Sequence, residues 1–242
     1  MSDSILKRKL GDILRNKGYQ FSKVPTLESD IKKGKYIWLQ NMGIRTVLDV
    51  GANVGNFTQM ISTVLKKINI YAFEPLAGCY TDFIKNTEHL KNAKVFNCAL
   101  GDKDSESNIY HNEFSPSSSL LKMKQLHKDI FPQTKNFISE KINTRALDSF
   151  GNEIVWAPKI LLKIDVQGYE LNVLKGAINS LGKIDIIICE VLFVELYENQ
   201  ARFDDIYKFL IERNFSYKGN FDQVADNKTG RIIYADAIFV KN

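Results

Sequence analysis

From Thr46 onward, short apolar runs rich in β-branched residues alternate with stretches in which apolar residues recur every three or four positions. The first pattern suits a buried strand and the second one face of a helix, so their alternation predicts βαβ units and a parallel sheet. Thr46–Val50 predicts a first strand, and Phe57, Met60, Ile61, Val64 and Leu65 predict the helix behind it. Asn69–Phe73 predicts a second strand, residues 77–90 a helix and residues 95–100 a third strand. Residues 160–165 predict a fourth strand, followed by a helix carrying Leu171, Leu174, Ile178 and Leu181 on one face. Residues 183–191 are the most apolar run and belong in the sheet interior. Phe203, Ile206, Tyr207 and Leu210 mark a further helix, opened by Asp204 and Asp205 near its positive end. Residues 216–218 and 236–240 predict two last strands with only a turn-rich stretch between them, so they pair antiparallel. The sum is a doubly wound α/β fold: a mostly parallel seven-stranded sheet with one reversed strand.

Residues 101–158 fit this scheme less well. They hold a polar stretch, the serine-rich Ser115-Pro116-Ser117-Ser118-Ser119 and a strand-like 142–147, and read as an insertion or lid around a site. His111 and His127 flank the serines and, like His89, sit in polar settings, where the surface is the commoner place for a histidine.

Charge changes the picture at the other end. The net +5 arises wholly in residues 1–45, which hold ten basic side chains and four acidic ones. Ile5, Leu6, Leu10, Ile13 and Leu14 have helical spacing there, so residues 1–45 read as a helical cap with a solvated basic face, and 46–242 as the main domain. A peripheral membrane contact or a neighbouring subunit in a homodimer would suit that face; a nucleic-acid partner is disfavoured by the near-neutral remainder. Cys79, Cys98 and Cys189 are far apart, in no metal-binding spacing, and read as buried thiols of a cytoplasmic protein. The apolar run 184–196 is broken by Asp185, Glu190 and Glu195, so no segment reads as a membrane span.

The candidate chemistry begins after the first strand, at Asp49-Val50-Gly51-Ala52-Asn53-Val54-Gly55-Asn56. Glycines at a strand-to-helix turn let the backbone pass close to a ligand, but the G-x-G-x-x-G spacing of a dinucleotide site is missing. Asp49 would also repel a pyrophosphate, so the loop suits a cationic or polar ligand. Glu74 ends the second strand in Phe73-Glu74-Pro75, where a carboxylate can accept hydrogen bonds from both ribose hydroxyls.

Six blocks in this order, VLDVGANVGNFT, FEP, NCALGDKDSES, SPSSSL, INTRALDSF and LLKIDVQGYELNVLKGA, resemble the FkbM family of S-adenosylmethionine-dependent methyltransferases over residues 47–190. The resemblance implies a Rossmann-like class I methyltransferase fold and O-methylation of a glycan or small natural product. It implies that Asp49, Gly51, Asn53 and Gly55, with Asn56, surround the methionine part of the cofactor, Glu74 the ribose, and Ala99 and Leu100 the adenine edge. Asp165 would face the sulfonium. Many relatives carry Glu where Gln167 stands, and no role is assigned to Gln167.

A hydroxyl acceptor also needs a group to take its proton. Asp165 and Glu190 fall at the carboxyl ends of the fourth and fifth strands, where open α/β sheets bind ligands. Asp165 is the first candidate, as base or acceptor-positioning group; the bland reading is a helix cap at Gly168. Glu190 lies in an apolar run and needs a partner or a shifted pKa. Lys163 shares the sheet face of Asp165 and joins Asp165 and Glu190 as a catalytic candidate, to neutralise that acid or orient the substrate. Tyr169-Glu170 reads as a further wall of the acceptor site. A Mg2+ between Asp165 and Glu190 is a secondary alternative without an evident third ligand, so no metal ligand is assigned. An N-methyltransferase or another transferase on this fold, and more distantly an NAD-dependent oxidoreductase, are the competing functions.

Overall fold

The computed structural model describes residues 36–111, 118–130 and 138–242. Residues 1–35 of the expected cap and Ser115 to Ser117 of the serine run lie outside them. The chain divides into two compact units, Met1–Trp38 and Leu39–Asn242, and the sheet belongs to the second. After α1 (Ile37–Asn41) the chain runs β1 (Thr46–Val50), α2 (Asn56–Val64), β2 (Asn69–Phe73), α3 (Ala77–Thr87) and β3 (Ala93–Phe96). Next come β4 (Ala99–Leu100), β5 (Ser105–His111), α4 (Gln125–Ile130) and β6 (Ile138–Arg145). The last third holds β7 (Ile160–Ile164), α5 (Glu170–Lys175), β8 (Ile186–Leu192), α6 (Phe203–Ile211), β9 (Phe215–Ala225) and β10 (Ile232–Lys241).

The main sheet has the order β3-β2-β1-β7-β8-β10-β9. Only β10 is reversed, antiparallel to β8 and β9. The chain winds outward from β1 to β3 and then returns to lay β7 on the other side of β1, which makes the gap between β1 and β7 the switch point. Strands β1 and β8 are buried at every position because helices or loops cover both faces. In β10, Ile233, Ala235, Ala237 and Phe239 are buried while their neighbours are half-exposed, the two-residue period of a strand with one dry face. One face packs Leu48, Val50, Leu162, Ile164, Cys189 and Phe239 into the main core. On the other, Ala52, Ala72 and Phe83 form a smaller cluster beneath the glycine loop.

Three expectations are corrected. The third strand is two: β3 ends at Phe96, the chain turns through a Cys98 N to Phe96 O hydrogen bond, and β4 joins a separate sheet of order β4-β6-β5. The stretch 101–158 is therefore more regular than its composition suggests. Third, α5 is only six residues long and Ile178, expected on its apolar face, is exposed. The helix stops at Gly176, which packs so closely under Gly101 that a Cβ there would lie 1.8 Å from the Gly101 carbonyl oxygen.

Candidate active site

The glycine loop closes on itself. Gly51 and Ala52 donate to Phe73 O at 3.1 Å each and Gly55 to Ala52 O at 2.9 Å. Asn53 donates to Glu74 Oε2 at 2.8 Å and Val54 to Asn53 Oδ1 at 2.9 Å. All five backbone N–H groups thus have protein acceptors. A phosphate cradle works by offering such groups free, and these five are not offered. Gly51 has φ 77°, and a Cβ on it would fall 1.9 Å from the Asp165 carbonyl oxygen. The glycine is required because the ends of β1 and β7 meet there.

Glu74 is the clasp of this half. Its Oε1 accepts from Leu76 N at 2.9 Å while Oε2 holds Asn53, so one carboxylate ties the loop to the end of β2. Burial pushes Glu74 up to about 7 against the pull of those two donors. Asn97 Nδ2 braces the same turn by donating to Glu74 O and Pro75 O, both at 3.0 Å. Asp49 lies beneath the loop, fully buried. Thr58 Oγ1 donates to its Oδ2 at 2.7 Å, and Lys163 Nζ is 3.6 Å from Oδ1, which accepts no hydrogen bond. Burial raises the Asp49 pKa while Lys163 and Thr58 oppose the rise. Asn56 opens α2 behind Gly55, which itself has φ 88°. Ala99 and Leu100 are buried in β4, paired with Thr144 and Arg145.

The second half gathers at the ends of β7 and β8. The Asp165 side chain is 37% exposed, and Lys163 Nζ stands 3.4 Å from its Oδ2. Lys163 therefore bridges Asp165 and Asp49. Burial works against its charge, but the two carboxylates outweigh it and hold the ammonium above its usual range. The helix-cap reading of Asp165 fails: the residue at the cap of α5 is Tyr169 with no side-chain cap hydrogen bond, and it is Glu170 Oε1 that ties the preceding turn, accepting from Val166 N at 3.2 Å and Gly168 N at 2.9 Å. Glu170 is fully buried, so it is no wall of an acceptor site, and burial pushes it up to about 7.

Glu190 finds the partner that its apolar surroundings demand in Gln167. One amide group, Gln167 Nε2, donates to Asp165 Oδ1 at 2.9 Å and to Glu190 Oε2 at 2.8 Å. Burial, followed by Asp165, Glu170 and Asp236, raises Glu190 well above the usual carboxyl range, with Lys163 opposing. Tyr197 Oη donates to Gln167 Oε1 at 2.8 Å and lies 3.1 Å from His127 Nε2. His127 is thus no surface histidine; it is buried against the Tyr197 ring. Ser119 Oγ donates to Gln167 O at 2.7 Å, and backbone bridges join Ser119 to Tyr110 and Met123 to Tyr197. With the Lys124–Glu195 ion pair, these contacts strap residues 118–130 across the ends of the strands.

Lys163 stands beside Asp165 and also reaches Asp49, a pairing that sequence reasoning did not give, with Glu190 close by. Tyr197 was missed, Gln167 was given no role, and His127 and Ser119 were singled out only for flanking or forming the serine-rich stretch, because only the fold makes the four neighbours. A feature pointing to Gln167 is its place before Gly168, since Gln167 (φ 55°) and Gly168 (φ 98°) both adopt left-handed backbone. Among the described residues, no group of three or more His, Cys, Asp or Glu is placed to hold a metal ion.

A doubly wound sheet with one reversed strand, a glycine loop after β1 and an acid at the switch point define a Rossmann-like α/β domain. Comparison with known proteins gives the family: the methyltransferase FkbM domain matches residues 49–217, and the chain belongs to it. It is 27% identical over 165 residues to "2-O-methyltransferase NoeI" of Sinorhizobium fredii, covering 64% of this chain and 66% of that one. It is 28% identical over 147 residues to "Hexuronic acid methyltransferase AglP" of Haloferax volcanii, covering 59% and 54%. "Methyltransferase 1" of Beauveria bassiana is 26% identical over 142 residues, covering 54% and 57%. The chain thus spans less than two thirds of the length of each of these relatives.

Proposed function

We propose that this protein is an S-adenosylmethionine-dependent O-methyltransferase whose acceptor is a hydroxyl of a glycan or small natural product. The observation that carries this reading is the glycine loop, whose five N–H groups are all taken by the protein, beside the half-exposed Asp165. Those five groups are not offered to a pyrophosphate, which favours a nucleoside without phosphates over NAD. Family membership supports it, and relatives named for 2-O-methylation and for hexuronic acid methylation support a sugar hydroxyl.

When bound, the cofactor supplies a sulfonium methyl already activated for in-line attack. The residues of this chain then have two tasks, alignment and proton removal. Glu74 holds the loop against β2 and keeps lone pairs for ribose hydroxyls. Asp165 takes the proton of the acceptor hydroxyl as its oxygen attacks. Lys163 sets its positive charge beneath Asp165 and Asp49 and, held as an ammonium by those carboxylates, cannot act as the base itself. Burial raises Glu190 above the usual carboxyl range, and Asp165 is the acid of the two that is open at the mouth. Three buried cysteines outside any disulfide support a reducing, cytoplasmic setting; no helix among the described residues is long and apolar enough to cross a membrane.

Thermal shift with S-adenosylhomocysteine, NADH and a short oligonucleotide tests the class, since a ligand of the folded state raises its Tm. A rise with S-adenosylhomocysteine alone is expected; a rise with NADH and none with S-adenosylhomocysteine overturns the proposal. A mass-spectrometric search for a methylene gain on carbohydrate extracts, incubated with enzyme and S-adenosylmethionine, then identifies the acceptor. Methyl found on nitrogen would instead favour the N-methyltransferase reading.

A further inference from the structure

The Gln167 side chain lies between two carboxyl groups and a buried tyrosine, and its orientation is not free. Tyr197 has one hydroxyl hydrogen, which goes to Gln167 Oε1. With His127 Nε2 protonated, that ring nitrogen donates to the tyrosine oxygen in turn. Burial, and next Glu190, push the Tyr197 phenol far above its usual range, so it keeps its proton. With Oε1 facing a donor, Nε2 must face the acids, and an amide flip would set N–H against O–H and oxygen against carboxyl oxygen. Ser119 Oγ on the Gln167 carbonyl holds the left-handed backbone that aims the side chain.

We propose that Gln167 is a positioning residue for Asp165: oriented through Tyr197 and His127, its amide Nε2 fixes the Asp165 carboxylate against Glu190 so that it meets the acceptor hydroxyl. The inference rests on the reading of Asp165 as the base. Asp165 is then held from both sides, by Gln167 on Oδ1 and Lys163 on Oδ2, with no torsional freedom left to its carboxylate. No proton passes through the amide; the chain His127, Tyr197, Gln167 transmits orientation only. It also links the strap, through His127 of α4, to the acid that does the chemistry.

The titratable and charged groups facing this pair are Lys163 on β7, Asp49 on β1, Glu170 on α5, Cys189 on β8, Tyr234 and Asp236 on β10, and Tyr197. A donor on a carboxylate favours its charged form, so deleting the amide donor makes the pair bind its proton more tightly. The pair titrates as a unit, and the lower of its two transitions must move up. Gln167→Met keeps the length of the side chain without its donors, and Tyr197→Phe removes only the hydroxyl that orients it.

The test is a 13C NMR titration of full-length protein labelled at Asp and Glu carboxyls, with S-adenosylhomocysteine bound. Signals of the pair are assigned by their loss in Asp165→Asn and Glu190→Gln. The lower transition is expected to rise by about one pH unit in Gln167→Met and by less, in the same sense, in Tyr197→Phe. On the acceptor found by mass gain, the acid limb of kcat moves up with it, while KM for S-adenosylmethionine stays as in the wild type. A folded Gln167→Met with an unmoved transition, or an unmoved acid limb, overturns the proposal. If Gln167→Met does not fold, Tyr197→Phe decides by the same criterion. Failure of the wild type to bind S-adenosylhomocysteine would instead strike the parent reading, so the two failures are distinct.

Discussion

The two halves of the site are built by opposite means. The half at β1 and β2 is made from residues close in sequence and is tied mainly through backbone: Phe73 O, Glu74 and Asn53 saturate the loop. The half at β7 and β8 is made from side chains at positions 119, 127, 165, 167, 190 and 197, from segments the chain visits at different times. Backbone closure leaves few degrees of freedom and suits the invariant part of a reaction, the cofactor. A side-chain network changes with single substitutions and suits the part that differs between acceptors.

Substitutions should break the halves differently. Gly51→Ala meets the Asp165 carbonyl at 1.9 Å in a left-handed conformation, and a cost of about 3 kcal/mol or more is expected, with loss of S-adenosylhomocysteine binding by calorimetry. This variant alone injures both halves, because it sits where they touch. Asp165→Asn should lower kcat by about 100-fold to 10,000-fold, the usual worth of a general base, with S-adenosylhomocysteine affinity little changed. Normal turnover in it would remove Asp165 from the chemistry. Glu74→Ala should do the reverse, weakening S-adenosylhomocysteine by about 100-fold, the size of two hydrogen bonds to a charged group.

The smallest effect expected concerns pH. Burial raises Glu170 from 4.5 to about 7, so the folded state binds a proton that the unfolded state has released across that window. Its contribution to stability is fully present below pH 4.5 and is lost as pH rises through about 7. Glu170→Gln keeps an acceptor for Val166 N and Gly168 N but cannot titrate. Denaturant titrations from pH 4.5 to 8 should therefore show a flatter pH dependence in the variant, by on the order of 2–3 kcal/mol. An unchanged slope would mean that Glu170 does not carry the buried proton.

Much of the β1–β2 half was legible along the chain. The strands Thr46–Val50 and Asn69–Phe73 stand where their apolar runs put them, and the glycine loop and Glu74 follow directly. Local pattern suffices there because the partners are near in sequence and the interactions are made by backbone. The pattern failed where tertiary contact overrides periodicity. Residues 95–100 read as one strand, yet Ala99 and Leu100 leave the sheet to pair with β6. Ile178 kept helical spacing past Gly176, where the close approach of Gly101 ends the helix.

By itself, then, the sequence determined the order of elements, the doubly wound topology with its reversed β10, the family and the acids at the strand ends. Those follow from hydrophobic period and from short motifs, which are properties of neighbouring residues. Only the tertiary structure decided that Glu170 ties the turn before α5 and leaves Asp165 half-exposed, that Glu190 is satisfied by an amide, and that His127 and Tyr197 stand behind it. A buried polar group must find a partner, and which partner depends on where distant segments meet.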